Sequence, residues 1–139
     1  MNKRGSTLLE FAIAVAVLTP VLVGLVQFTY SFYVIHELDA AVRRGAEFAS
    51  ALEYDSPSPE PSSGWLWQVE NVVVYGNPEG AGQTLVAGLM RDHVRVRVDF
   101  ARGRPHKVAV GITGLELPSP GHTLRLDGKP ESSFPYRGR

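Results

Sequence analysis

The chain contains no cysteine and carries no net charge. Its 139 residues include 14 basic and 14 acidic side chains. The absence of cysteine excludes disulfides, thiol catalysis and cysteine-ligated metals, and it is compatible with an exported domain. The balance of charge gives no electrostatic reason to expect a nucleic-acid-binding protein, so we predict no nucleic-acid partner. The length allows one domain, or one membrane anchor with a small domain.

The residue types that carry chemistry form no recognisable catalytic or metal site. The histidines lack the spacing of metal ligands and stand at His36, His93, His106 and His122. The loop 76–84, GNPEGAGQT, has the glycines of a phosphate cradle but no lysine, and Glu79 stands where an anion would bind. No serine, histidine and aspartate occur in the local context of a catalytic triad. We therefore predict no enzyme, no metal, no cofactor and no small-molecule substrate.

A long apolar run near the N-terminus predicts a membrane-spanning helix. Between Phe11 and Val26 the only polar side chain is that of Thr19. A helix needs about 20 apolar residues to cross a bilayer, and the h-region of a secretory signal has only about 7–15. We therefore assign residues 6–35 to a single transmembrane helix. Because Lys3 and Arg4 precede it, the positive-inside rule predicts a cytoplasmic N-terminus and an extracytoplasmic C-terminal domain.

Small residues recur at four-residue spacing within this segment. They form one stripe on the predicted helix, at Ala12, Ala16, Pro20 and Gly24. In lipid, such a stripe lets helices approach closely, although alanine and glycine are also simply common in membrane helices. Pro20 removes one backbone hydrogen bond, to the carbonyl of Ala16, and favours a kink.

The helix is predicted to continue beyond the membrane as an amphipathic segment over residues 36–53. Apolar residues recur there at helical spacing, at Leu38, Ala41, Val42, Gly45, Ala49 and Leu52. The first proline after this run is Pro57. One helix from about Ser6 to about Leu52 would thus have a lower half suited to lipid and an upper half with one apolar face.

The remaining residues predict a linker and a small β-rich domain. Residues 54–64 are rich in proline and serine, which favours an extended linker, and residues 65–139 follow as the extracytoplasmic domain. We predict strands at 68–75, 93–100 and 107–113, and a weaker one at 123–126. The fold class is therefore α+β, with the long helix packed on an antiparallel sheet of about three to four strands. The amphipathic half of the helix would cover the sheet's apolar face.

The predicted hairpin around residues 93–113 is basic. Its cations are Arg95, Arg97, Arg102, Arg104, His106 and Lys107. They could contact surface polysaccharide or nucleic acid. Alternating charge on an exposed strand face also protects a sheet from edge-to-edge pairing, and we favour that interpretation.

A carboxylate, Glu10, stands just inside the predicted transmembrane helix, in the stretch KRGSTLLE of residues 3–10. A charge is costly in the bilayer unless a partner compensates for it. One explanation is local, since Thr7 and Glu10 have the spacing of a capping box at a helix start. That explanation does not account for Gly5 before Ser6, or for a basic leader this short.

The N-terminal pattern resembles a type IV pilin-like precursor, and specifically the TadE family of pseudopilins from tight-adherence (Flp-type) pilus systems. A short basic leader ends at Gly5, Glu10 stands at the fifth position beyond it, and Phe11 follows. The run 24–28, GLVQF, resembles the family's G-x-x-E-F, with Gln27 in place of glutamate. A second family-like stretch spans 41–49, AVRRGAEFA, with its matching residues at Arg43, Gly45, Ala46 and Ala49.

This resemblance implies processing of the chain by a prepilin peptidase between Gly5 and Ser6. Residues 1–5 would then be the leader, and cleavage would create an α-amino group on Ser6. That amine is the implied partner of Glu10, in a neighbouring subunit or within the same chain, because Ser6 and Glu10 are also one helical turn apart.

The implied role is that of a minor pseudopilin that takes part in assembling a tight-adherence pilus. Its partners would be the prepilin peptidase, other pilins and pseudopilins, and the inner-membrane assembly proteins. The chain would be a single-pass protein of the bacterial inner membrane, with its C-terminal domain in the periplasm. Two alternatives stay open: an uncleaved, signal-anchored periplasmic binding domain, and a type II secretion pseudopilin with the same N-terminal chemistry.

Overall fold

The computed structural model describes residues 3–119 and 122–138, so Met1 and Asn2 of the predicted leader lie outside it. The elements are helix α1 (Lys3–Ala51), helix α2 (Ser63–Tyr75), a 3₁₀ turn (Arg91–His93) and strands β1 (Val94–Ala101), β2 (Arg104–Ser119) and β3 (His122–Pro135). The chain divides into two compact units, one up to Tyr33 and one from Val34 onward. The predicted fold class, α+β with a long N-terminal helix and a small antiparallel sheet, is confirmed.

Residues 34–51 of α1 form one wall of the hydrophobic core in the second unit. Their buried side chains recur every three or four positions, at Val34, Leu38, Ala41, Val42, Ala46 and Ala49. Polar residues such as Asp39, Arg43 and Glu47 are exposed. The apolar stripe of this half of the helix therefore faces the protein interior, because burying it removes apolar surface from water.

Residues 68–75 belong to helix α2, and the predicted strand at this position is wrong. The hydroxyl of Ser62 caps the helix by accepting a hydrogen bond from the amide of Trp65 at 3.1 Å. Gly76 ends it in the left-handed conformation, at φ 78°. The valine-rich run has strand propensity, but Trp65, Val69 and Val73 lie one helical turn apart and are all buried in the core. Burial of this face outweighs the small helix penalty of valine, about 0.5 kcal/mol per residue.

Strands β1, β2 and β3 form one antiparallel sheet in that order. A turn at Arg102 and Gly103 joins β1 to β2. The core face of the sheet carries Val94, Val98, Val108, Val110 and Ile112. The strands predicted at 93–100 and 107–113 are present, and the weak signal at 123–126 marks part of the much longer β3. The pairing of β2 with β3 is irregular around residues 111–115, so the register shifts there.

The C-terminal segment caps the end of α1. The amides of Arg137 and Gly138 both donate to the carbonyl of Ser50, at 2.7 and 3.0 Å. The hydroxyl of Tyr136 donates to the carbonyl of Leu52 at 2.9 Å and accepts from the amide of Tyr54 at 2.7 Å. The last carbonyls of a helix have no partner within it, so these bonds satisfy groups that would otherwise need water. Residues 136–138 thus hold the C-terminal end of α1 in place.

Replacing Tyr136 by phenylalanine is expected to lower the free energy of unfolding by about 1–3 kcal/mol. The change removes one donor and one acceptor and keeps the ring, so the cost comes from the two broken hydrogen bonds to Leu52 and Tyr54. Chemical denaturation followed by near-UV circular dichroism measures it. Tyr75→Phe is the matched control, because the Tyr75 hydroxyl has no hydrogen bond to the described residues. Equal stability of the two variants would contradict the capping role.

Candidate membrane and assembly segment

The first unit presents an exposed apolar helical surface. From Gly5 to Tyr30 every side chain is exposed. Large apolar side chains lie open all around the helix; Phe11, Val26 and Phe28 are 67, 68 and 71% exposed. By length and composition α1 can cross a membrane, and none of its most apolar window is buried. Exposed apolar surface of this extent is a surface for lipid or for other helices.

The two threonines within the apolar segment hydrogen-bond to their own helix. Thr19 Oγ1 donates to the carbonyl of Val15 at 2.7 Å, and Thr29 Oγ1 donates to that of Leu25 at 2.9 Å. In hydrocarbon every polar group needs an internal partner, and these hydroxyls have one. The helix also continues through Pro20, which has no amide to offer to the carbonyl of Ala16.

The predicted small-residue stripe lies on this exposed surface. Ala12, Ala16, Pro20 and Gly24 are all exposed. A Cβ atom added at Gly24 would meet no described atom within 4 Å. Within the described residues the stripe is therefore exposed along its whole length.

The residues of the predicted processing site lie near the beginning of α1. Gly5, Ser6 and Glu10 are exposed, and a Cβ atom at Gly5 would meet no described atom within 4 Å. Because α1 already includes Lys3, Thr7 lies inside the helix and is not its N-cap, so the capping box does not mark the helix start. Ser6 and Glu10 are one turn apart, at the spacing of neighbouring side chains on a helix. Among the described residues Glu10 has no ion pair.

The second family-like stretch lies mostly in the core of the second unit. Gly45, Ala46 and Ala49 are buried, whereas Arg43 is exposed. A Cβ atom at Gly45 would collide with Cγ2 of Val73 on helix α2. The glycine therefore allows α1 and α2 to approach closely. Sequence reasoning missed this contact because it assigned the partner segment to a strand.

Within residues 3–119 and 122–138, no three His, Asp or Glu side chains are grouped as metal ligands. Burial raises the pKa of Glu70, and Arg91 opposes that rise. Burial likewise raises the pKa of Tyr54, helped by Asp55 and Glu60, so its hydroxyl stays protonated and donates to the carbonyl of Ser58 at 2.8 Å.

Comparison with known proteins gives one match. The family model described as TadE-like protein matches residues 5–47. No curated protein and no solved structure matches the chain. The matched range contains the exposed apolar helix and most of the core-facing part of α1, including Gly45 and Ala46; the sheet lies outside it. Residues 5–47 thus match the TadE-like family, as the pattern around Gly5, Glu10 and Gly45 predicted.

Proposed function

We propose that this protein is a minor pseudopilin of a tight-adherence pilus assembly system. A TadE-like segment implies a pseudopilin-like role associated with that pilus. The observation that carries the proposal is the exposed apolar surface of α1 inside the matched range. Such a helix anchors a subunit in the inner membrane before assembly and packs against other subunits' helices afterwards.

The stripe of Ala12, Ala16, Pro20 and Gly24 is the proposed contact face for neighbouring helices. Lipid tails give helices no hydrophobic reason to associate, so close packing across small residues supplies the attraction. The exposure of these residues and the open space at Gly24 support this role. The partners are other pilins and pseudopilins, together with the inner-membrane assembly proteins.

Processing by a prepilin peptidase between Gly5 and Ser6 is the second part of the proposal. Gly5 has no side chain to obstruct the protease, and both residues are exposed. Cleavage removes the leader and creates a positive α-amino group on Ser6. That amine compensates the negative charge of Glu10, which otherwise enters the membrane alone.

Co-expression with a prepilin peptidase is expected to yield a mature chain that begins at Ser6. Intact-mass spectrometry of the membrane fraction measures the N-terminus directly. Gly5→Leu is expected to keep the full-length chain, because a bulky side chain at the cleavage position obstructs the protease. Gly24→Leu is the matched control, since it makes the same change outside the processing site and leaves cleavage intact.

A chain that still begins at Met1 in the presence of an active peptidase would overturn the processing step. It would favour an uncleaved, signal-anchored periplasmic domain. Cleavage together with co-purification of type II secretion pseudopilins instead of tight-adherence pilins would keep the N-terminal chemistry and reassign the system.

A further inference from the structure

A half-open cavity of about 430 Å³ lies beside the C-terminal end of α1, within the second unit. Its volume falls in the range of small-molecule sites, about 300–1,000 Å³. The wall consists chiefly of three aromatic rings, two prolines and one guanidinium, those of Tyr54, Phe100, Tyr136, Pro57, Pro105 and Arg104. This combination presents flat apolar surfaces next to one positive charge.

The aromatic walls of the cavity are held in place before any ligand arrives. Tyr54 makes edge-to-face contacts with Phe100 at 5.5 Å and with Tyr136 at 6.4 Å between ring centroids. Behind it, the buried ring of Trp65 makes a third such contact at 5.5 Å. The Tyr136 hydroxyl is fixed by its hydrogen bonds to the amide of Tyr54 and the carbonyl of Leu52. A preformed wall binds a ligand without the entropic cost of ordering itself.

Arg104 is the one cation in this wall, and it has no ion pair among the described residues. Two other arginines of the sheet are paired with carboxylates: Arg97 with Glu131 at 3.4 Å and Arg125 with Asp127 at 3.1 Å. The described residues of the cavity wall include no Asp or Glu. A guanidinium that pairs with no carboxylate of the described residues and lies beside aromatic rings suits a ligand with a carboxylate on an apolar face.

We propose that this cavity binds a uronic acid residue of an acidic polysaccharide. A pyranose ring has an apolar C–H face, which packs on the rings of Tyr54 and Phe100, and its carboxylate pairs with Arg104. Its hydroxyls need donors and acceptors nearby, which Ser56 and the backbone of Gly103 supply. The inference concerns binding alone and does not depend on pilus assembly or on cleavage at Gly5.

Isothermal titration of the full chain in phospholipid nanodiscs with a galacturonic acid trisaccharide tests the proposal. We expect saturable binding, and binding at least about tenfold weaker for the neutral galactose trisaccharide, because a charge-assisted hydrogen bond is lost. Arg104→Gln should weaken binding of the acidic sugar by a similar factor. Arg125→Gln is the matched control, since it removes an exposed arginine of the same sheet outside the cavity, and it should leave the affinity unchanged.

Three results would overturn the assignment. One is the absence of binding to the acidic trisaccharide at millimolar concentration. Another is an affinity that Arg104→Gln and Arg125→Gln alter equally, which would indicate general attraction to a basic surface. The third is equal or tighter binding of an acidic, proline-containing peptide, which would make the cavity a peptide-docking site. Arg104 is exposed, so Arg104→Gln is expected to fold, and thermal denaturation checks this directly.

Discussion

Replacing Glu10 by glutamine is expected to abolish co-purification of the processed chain with other pilins while leaving the chain in the membrane. In the proposed assembly the carboxylate of Glu10 pairs with the α-amino group of Ser6 in a medium of low dielectric constant. Removing one partner of such a pair leaves an uncompensated charge, at a cost of about 3–5 kcal/mol. Insertion should not suffer, because the apolar surface from Leu8 onward is unchanged. Affinity purification from solubilised membranes, quantified by mass spectrometry, measures both results.

The controls for this experiment test whether the loss of co-purification comes from the broken ion pair or from another effect of a neutral side chain. Glu47→Gln makes the same change at another exposed position of α1 and should leave co-purification intact. In a chain that cannot be cleaved, such as Gly5→Leu, the amine of Ser6 never forms, so Glu10→Gln should cause no additional loss. Normal recovery of pilins with the processed Glu10→Gln chain would disprove the pairing role.

Mixed assemblies distinguish pairing within a chain from pairing between chains. A Glu10→Gln subunit still has its own Ser6 amine after cleavage. If the pair forms between chains, a wild-type neighbour can supply the missing carboxylate, and part of the variant is retained when both are co-expressed. If the pair forms within one chain, the variant is lost whether or not wild-type subunits are present.

The helix α1 was predictable from sequence because its signals are local and repeat over many residues. The apolar run sets the segment up to Tyr33, and the three- and four-residue spacing from Leu38 to Ala49 sets the face that enters the core. Strand β1 was predictable for the same reason. Its valines alternate with charged residues, and this alternation predicts a strand with one buried and one exposed face. The resemblance to the family was also recognisable from sequence, because it depends only on the identities and spacing of residues.

Two features could not be predicted because they depend on distant parts of the chain. The run 69–74 contains four valines, so local propensity favours a strand, and only burial against the rest of the core makes α2 a helix. The cap on α1 joins Tyr54 to Tyr136, residues 82 positions apart. No local sequence pattern predicts such a pair, and none predicts the cavity beside it.

The tight contact between α1 and α2 makes Gly45→Ala a destabilising substitution in the second unit. The new methyl group would collide with Cγ2 of Val73, and valine in a helix has little freedom to change its rotamer. Overpacking of this kind typically costs about 1–3 kcal/mol, whereas alanine in place of glycine would otherwise stabilise a helix by about 0.5–1 kcal/mol. We therefore expect a net loss of stability, measured by chemical denaturation of the full chain with near-UV circular dichroism.

Gly24→Ala is the matched control, because it makes the same change in the same helix where no described atom lies within 4 Å of the new Cβ. It should leave the stability of the second unit unchanged. Val73→Ala removes the atom that the new methyl group strikes. The double variant Gly45→Ala, Val73→Ala should therefore lose less stability than the sum of the two single losses, by about 0.5–3 kcal/mol. Strict additivity would show that Gly45 is needed for some reason other than close approach. A positive coupling would instead mean that Gly45, a residue of the matched range, is constrained by the chain's own α2.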